Sequence, residues 1–401
     1  MGHLISGKAH LVPLIDRLNR YPVGLVDNQK LREILALLFS EEEASIAASF
    51  PLSEATADEL SVLTGITVEA LLPKLEQMAN KGLVVDTPCG DTTYWMLMPG
   101  LIGFFEFTFM KKRTDLPLAE VARLMLEYLH EVRPGQAEEF FGSRTQLTRA
   151  LTYEDKVPVT SNITSWEDAR QIVREAEFGA AGTCFCRHQK EHLDQTCRKQ
   201  APVEEICIAL GAGARFLSRR GFMEEKSTDE LLAILDTARN YNLTHVTDNV
   251  RERPSFLCNC CRCCCELLAG VQRGLHDGLA KTPFIAEVDP RRCDYCGECL
   301  KACNVKCIGL ASQARAPRRV TGAKPPKRYA EVDTRVCLGC GVCIPGCERG
   351  AISLVKRRRY RKPPLNQVSL FARILWEKGR LMPFLVEGIK RRWHLPPMRR
   401  R

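Results

Sequence analysis

The sequence predicts a multidomain α+β protein. Three observations carry that expectation. Apolar residues recur at helical spacing and then give way to a hairpin pattern over residues 30–98. A strand-like segment recurs at a period of 44 residues near the C-terminal end. Cysteines crowd into residues 184–265 and again over the repeat. The chain has 401 residues, room for several domains, and a hydrophobic content of 45% excludes wholesale disorder. No run of about 18 uninterrupted apolar residues occurs, so no membrane-spanning helix is expected. The first twenty residues lack an apolar core ending in a small-residue cleavage site, so a secretory signal is not expected either.

Residues 1–29 read as an N-terminal helical segment. A helix is expected from Asn28 to Phe39, where Leu31, Ile34, Leu35 and Leu38 share one face. Another covers Ala55 to Thr64, and a longer one runs from Thr67 to Asn80 with Val68, Leu71, Leu72, Leu75 and Met78 in a stripe. Gly82 is placed to end it. Residues 83–97 then read as a hairpin turning at Pro88-Cys89-Gly90-Asp91. In this order, residues 30–98 resemble a winged-helix module. Residues 31–95 hold three basic and eleven acidic side chains, and the third helix opens Val68-Glu69-Ala70. A surface of that charge repels phosphate, and those residues read no base edge. The resemblance therefore implies protein docking or dimerisation ahead of DNA binding.

Residues 99–180 read as a helical connector, with helices at Leu118–Val132 and Ser165–Glu177. The apolar run 95–110 is expected to pack in the core or between domains. Residues 181–282 read as a helical, cysteine-rich, metal-binding domain with a helix from Thr228 to Asn240.

The repeat is the strongest signal. Ala286-Glu287-Val288-Asp289 recurs as Ala330-Glu331-Val332-Asp333, and each copy leads into the same cysteine spacing. The first copy carries Cys293, Cys296, Cys299 and Cys303; the second carries Cys337, Cys340, Cys343 and Cys347. Ile308 and Ile352 follow at matching offsets. Residues 283–355 resemble the bacterial-type ferredoxin with two [4Fe–4S] clusters, whose spacing is C-x2-C-x2-C-x3-C. The resemblance implies crossed ligation: Cys293, Cys296, Cys299 and Cys347 on cluster 1, and Cys337, Cys340, Cys343 and Cys303 on cluster 2. Gly297, Gly339 and Gly341 suit loops whose amides turn inward. Two features depart from the pattern. Asn304 and Glu348 stand where the family has proline after the fourth cysteine, and Cys307 is surplus, read as a buried free thiol beside a cluster.

Ten more cysteines lie upstream: Cys184, Cys186, Cys197, Cys207, Cys258, Cys260, Cys261, Cys263, Cys264 and Cys265. Thiols at that density, in a chain without an export signal, are candidate metal ligands rather than disulfides. The first four are enough for one cubane, and the 258–265 run could complete a second site or a larger assembly. Paired zinc knuckles are missing, so one or two additional iron–sulfur clusters are the expectation. His188 and His192 read as satisfied histidines, with His188 an alternative ligand. The chain as a whole looks like a multi-cluster iron–sulfur protein of anaerobic prokaryotes. Its resemblance to the cysteine-rich subunits of heterodisulfide-reductase-type complexes is distant, and without their motif spacing no active site is carried over.

The net charge of +10 divides unevenly: residues 291–401 hold 27 Lys and Arg against 7 Asp and Glu, and the remainder 31 against 41. The linker Ala311–Lys327 reads as an exposed basic loop. Residues 356–401 form a basic amphipathic tail, with a helix over Asn366–Arg392, anchors at Trp376 and Trp393, and an interruption at Pro383. Docking to an acidic redox partner ranks first for this end, the inner-membrane surface second and nucleic acid third. No nucleotide loop, flavin fingerprint or catalytic triad is present, and no catalytic residue is identified. The sequence thus favours a cytoplasmic electron carrier or electron-transfer subunit of an oxidoreductase over a complete enzyme. Two rivals stay open: a redox-sensing winged-helix regulator, and a catalytic reductase subunit with its substrate at the 258–265 cysteines.

Overall fold

The computed structural model describes residues 6–130, 135–156, 164–312 and 328–386. Helix α1 (Val12–Leu18) precedes α2 (Gln29–Leu38), whose cap is Asn28, accepting from the Leu31 N–H. An unforeseen helix α3 (Glu41–Ala48) follows, started by a capping box of Ser40 and Glu43. A two-residue strand β1 (Ala55–Thr56) leads into α4 (Ala57–Thr64) and α5 (Val68–Lys81), and α5 ends at Gly82 with φ +79°. Strands β2 (Val84–Cys89) and β3 (Thr92–Leu97) complete an antiparallel sheet in the order β1-β3-β2. The register pairs Cys89 with Thr92, so the turn is Gly90-Asp91 alone. Pro88 and Cys89 belong to the strand, which tolerates proline because β2 is an edge.

The apolar run bends sharply at Gly100–Phe104 before α6 (Phe105–Phe109), and Ile102 there sits at φ +53°, an outlier for a β-branched residue. Helices α7 (Leu118–His130) and α8 (Gln136–Phe141) follow.

The middle of the chain departs from the helical expectation. Strands β4 (Thr148–Ala150), β5 (Gly179–Gly182), β6 (Cys207–Leu210), β7 (Met223–Glu225), β8 (Thr244–Asp248) and β9 (Phe256–Cys260) form one sheet in the order β4-β8-β9-β6-β5-β7. All pairings are antiparallel. The segment read as a helical connector supplies β4 and β5, and of its expected second helix only α9 (Ala169–Glu175) and a preceding 3-10 turn form. Between strands lie α10 (Phe185–Glu191), α11 (Gly211–Arg219) and α12 (Thr228–Asn240); α13 (Glu266–Gln272) follows β9. Strand alternation sorts the two faces. Ile208, Leu210 and Leu257 pack with Ile172, Leu231 and Leu235 of α9 and α12, leaving Cys207, Cys258 and Cys260 on the opposite face.

In the repeat, β10 (Phe284–Val288) leads to α14 (Glu298–Ala302) and β11 (Ile308–Ser312), and the second copy contributes β12 (Arg328–Val332) and β13 (Ile352–Lys356). The first strand of each copy pairs with the last strand of the other. Val288 meets Ile352, and its counterpart Val332 meets Ile308. The basic linker lies outside the described residues from 313 to 327, as do Lys390, Arg391, Arg392 and Trp393 of the tail. Helix α15 (Gln367–Glu377) is capped by Asn366 and docks on the body through Leu370 and Ile374. It ends at Gly379 (φ +68°) rather than at Pro383, and Lys378 and Arg380 both pair with Glu139.

Candidate metal centres

The repeat brings its cysteines together in two small enclosed cavities. One is lined by Cys293, Cys296, Cys299 and Cys347, with Val288 and Ile352 over it. The other is lined by Cys303, Cys337, Cys340 and Cys343, with Ile308. Each cavity thus draws thiols from both copies. Backbone amides point at the sulfurs: Ala330 N–H donates to Cys293 Sγ at 3.4 Å and Ala351 N–H to Cys347 Sγ at 3.2 Å. Gly339 has no room for a side chain, since a Cβ there would lie 2.1 Å from the Phe284 carbonyl oxygen. An all-thiolate donor set with inward amides fits an iron–sulfur cluster in each cavity. Cys307 is buried in the second cavity, its Sγ 3.5 Å from that of Cys303, which makes a fifth thiol there.

The ten upstream cysteines separate into two groups, and not along the chain as the sequence suggested. Cys197 leaves Cys184, Cys186 and Cys207 and joins Cys261, Cys263 and Cys264. In this tetrad Cys197 lies 3.7 Å from both Cys261 and Cys263; Cys263 lies 3.5 Å from Cys261 and 3.7 Å from Cys264. A tetrahedral ion with metal–sulfur bonds of about 2.3 Å sets its ligands about 3.8 Å apart. The tetrad therefore has the dimensions of a one-metal site. The terminal thiolates of a cubane lie outside the cube and much farther from one another.

The other six thiols close into a ring. Each interacts electrostatically with two neighbours, in the order Cys184, Cys186, Cys265, Cys260, Cys258, Cys207 and back to Cys184. The sheet sets half of this ring. Ile208 pairs with Leu257, so one step along the antiparallel register Cys207 faces Cys258. Cys184 and Cys265 stand at the starts of α10 and α13 and close the other half.

Three residues that were not candidate site residues in the sequence organise these centres. Arg187 is 1% exposed, and its Nη2 donates to the Asn259 carbonyl at 3.0 Å while Nε and Nη1 have no hydrogen-bond partner. Burial works against its charge, but the thiols of Cys184, Cys261, Cys207 and Cys197 outweigh that and hold the guanidinium firmly protonated. Asn304, directly after Cys303, bridges the cysteine-rich units. It accepts from Arg262 N–H at 3.3 Å and donates to the Asn242 carbonyl and Thr244 Oγ1, each at 2.9 Å. Thr244 Oγ1 reaches Cys340 Sγ at 3.8 Å. Glu106 lines the cavity above the thiol ring, and burial pushes its carboxyl up to about 7 although the Gly103 N–H donates to it at 2.8 Å.

His188 is not a ligand in this arrangement. Its Nδ1 lies 2.7 Å from the Phe109 carbonyl and its Nε2 3.2 Å from His192. Cys89 is an exposed thiol at the tip of the N-terminal hairpin. Among the described residues no helix is long and apolar enough to cross a membrane. No family model, curated protein or solved structure matches the chain.

Proposed function

We propose that the chain is an iron–sulfur electron-transfer protein, in which two [4Fe–4S] clusters held by the repeat pass single electrons to or from a partner oxidoreductase. The observation that supports this most directly is that each of two cavities is lined by four repeat cysteines taken from both copies. When bound, such clusters supply one-electron redox chemistry at thiolate-held iron. The chain's own residues do the rest. Eight cysteines bind, the amides of Ala330 and Ala351 stabilise charge on sulfur, and Val288, Ile308 and Ile352 shield the cavities from water.

We read the Cys197 tetrad as a single-ion site, zinc or iron, because four of its sulfur spacings are 3.5–3.7 Å and all lie within 4.8 Å. It replaces the extra cubane expected from the sequence. The three-stranded N-terminal unit is read as a winged helix used for docking within the chain. Its Asp86 is buried against Arg219 and Arg220, and Arg220 also binds Glu76 on α5. The excess of basic residues after position 291 suits a partner with an acidic surface, at a cytoplasmic site or at the inner-membrane face.

Protein purified without oxygen is expected to contain at least about eight irons with matching sulfide, and to give cubane-type EPR signals on reduction. Fewer than about four irons per chain, with the thiols intact, would sink the reading.

A further inference from the structure

Of the ten thiols between Cys184 and Cys265, six lie outside the tetrad. They line one cavity together, five of them buried and Cys258 half-buried, and each interacts with two others around a closed ring. One ion takes about four such ligands, so six are too many for a mononuclear site. Six buried thiolates without metal would repel one another strongly, and disulfide pairing of all six would need three bonds where the chain has none. Several metal ions bridged by sulfur spread the charge over the ring. Arg187 adds a buried cation at its edge, with two guanidinium nitrogens still lacking a partner. A buried cation in that condition calls for an anionic group beside it.

All six thiols also line one cavity of about 400 Å³ whose wall is mainly apolar. The apolar walls include Met98, Met125, Phe105, Phe216 and Phe256, and the charged side chains of Glu106, Glu266 and Arg273 also line the cavity. The strained Ile102 turn, which holds Glu106 through the Gly103 N–H, forms part of the same wall. The space is of the size used for small-molecule sites.

We propose that Cys184, Cys186, Cys207, Cys258, Cys260 and Cys265 hold a polynuclear metal–thiolate centre, distinct from the repeat clusters and the tetrad, whose open face binds a small uncharged molecule in the apolar cavity. The proposal stands on the ring and its cavity, independently of the function read from the repeat.

The test uses the full chain purified anaerobically. Wild-type protein is expected to hold more iron than the roughly eight atoms of two cubanes. Cys207→Ser and Cys258→Ser are expected to lose that excess while keeping the repeat iron and its EPR signals, so unfolding is told apart from loss of one centre. The probe for the cavity is tert-butyl isocyanide, a small uncharged ligand of iron. It is expected to shift the visible and EPR spectra of the wild type, but not those of either serine variant or of Met98→Trp, which fills the cavity and leaves the metal content unchanged. Wild-type metal that stops at the repeat and tetrad complement overturns the ring as a centre, as does full metal retention in both serine variants. An isocyanide shift that survives in them, or is missing from the wild type, overturns the cavity as its ligand site. Loss of the repeat signals alone would instead count against the electron-transfer reading.

Discussion

Arg187 Nη2 donates to the carbonyl oxygen of Asn259 at 3.0 Å, and this one bond anchors a guanidinium whose remaining nitrogens lie among cysteine sulfurs. The arginine stands on α10 between Cys186 and His188, and Asn259 stands on β9 between Cys258 and Cys260. The contact therefore ties the two elements that supply most of the thiol ring. Removing one partner of a buried charge pair costs about 3–5 kcal/mol, because the other charge is left uncompensated. Arg187→Met is expected to weaken metal retention roughly a hundredfold or more at the ring and the tetrad together. Metal analysis after graded chelator treatment checks this, and unchanged retention would contradict the role.

The tetrad carries its own expectation. Cys263→Ala removes one corner of a four-sulfur site whose other members come from the same loop and from Cys197. Loss of one metal equivalent is expected, with the repeat iron intact. If the ion is zinc, X-ray absorption at the zinc edge should give sulfur neighbours at about 2.3 Å and no metal neighbour. A metal–metal distance assigned to this site would replace the single ion with a cluster.

Much of the helical architecture could be read from the sequence, and the reasons are local. Helix α12 spans Thr228–Asn240 as expected, since its apolar period is clear and Ser227 with Glu230 forms a capping box. The repeat was legible because both copies carry the same strand and the same spacing. The middle sheet was not. Strands β5 (Gly-Ala-Ala-Gly) and β6 (Cys-Ile-Ala-Leu) are four residues long and almost wholly buried, so neither alternates in polarity. The division of the upstream thiols was hidden for a related reason, since β6 and β9 pair across some fifty residues of chain. One signal was available: in Phe-Leu-Cys-Asn-Cys, strand alternation alone puts Cys258 and Cys260 on one face.

The mixed lining of the two repeat cavities makes a prediction that proximity in sequence would reverse. Cys347 belongs to the second copy but lines the cavity of Cys293, Cys296 and Cys299. Cys347→Ala should therefore disturb the cluster of the first copy and spare that of the second, in EPR of partly reduced protein. Cys307→Ala should leave both intact. Cys303→Ala should retain more iron than Cys347→Ala, because Cys307 Sγ lies 3.5 Å from the sulfur it would replace.

Asn304 makes bonds that a proline after Cys303 could not. Its side chain is buried and joins the tetrad loop, through Arg262, to Thr244 of β8 and to Asn242 two residues before that strand. Proline could make none of these bonds. Asn304→Ala leaves buried polar groups unmet and should cost about 1–3 kcal/mol. Hydrogen exchange is expected to rise over residues 261–264 with the iron of the repeat retained. If exchange rises uniformly over the chain, Asn304 serves general packing and not this bridge.

His245 supplies a pH dependence with a definite sign. Its side chain is enclosed on β8, Nδ1 lies 2.6 Å from Asn259 Oδ1, and Nε2 has no partner. Burial holds its pKa down to about 4, against about 6.5 in an unfolded chain. Below pH 6.5 the unfolded state takes up a proton that the folded state refuses, so this residue's contribution is complete above that pH and is lost as pH falls toward 4. The full loss is at most about 3 kcal/mol. Asp248, three residues on, works the other way: burial raises its carboxyl to about 6, so its contribution is largest in acid and fades as pH rises through that value. Subtracting the denaturant stability of His245→Gln from that of the wild type, at matched pH between 7 and 5, isolates the histidine. The difference should move against the wild type as pH falls, and a flat difference would mean that His245 accepts its proton in the folded protein.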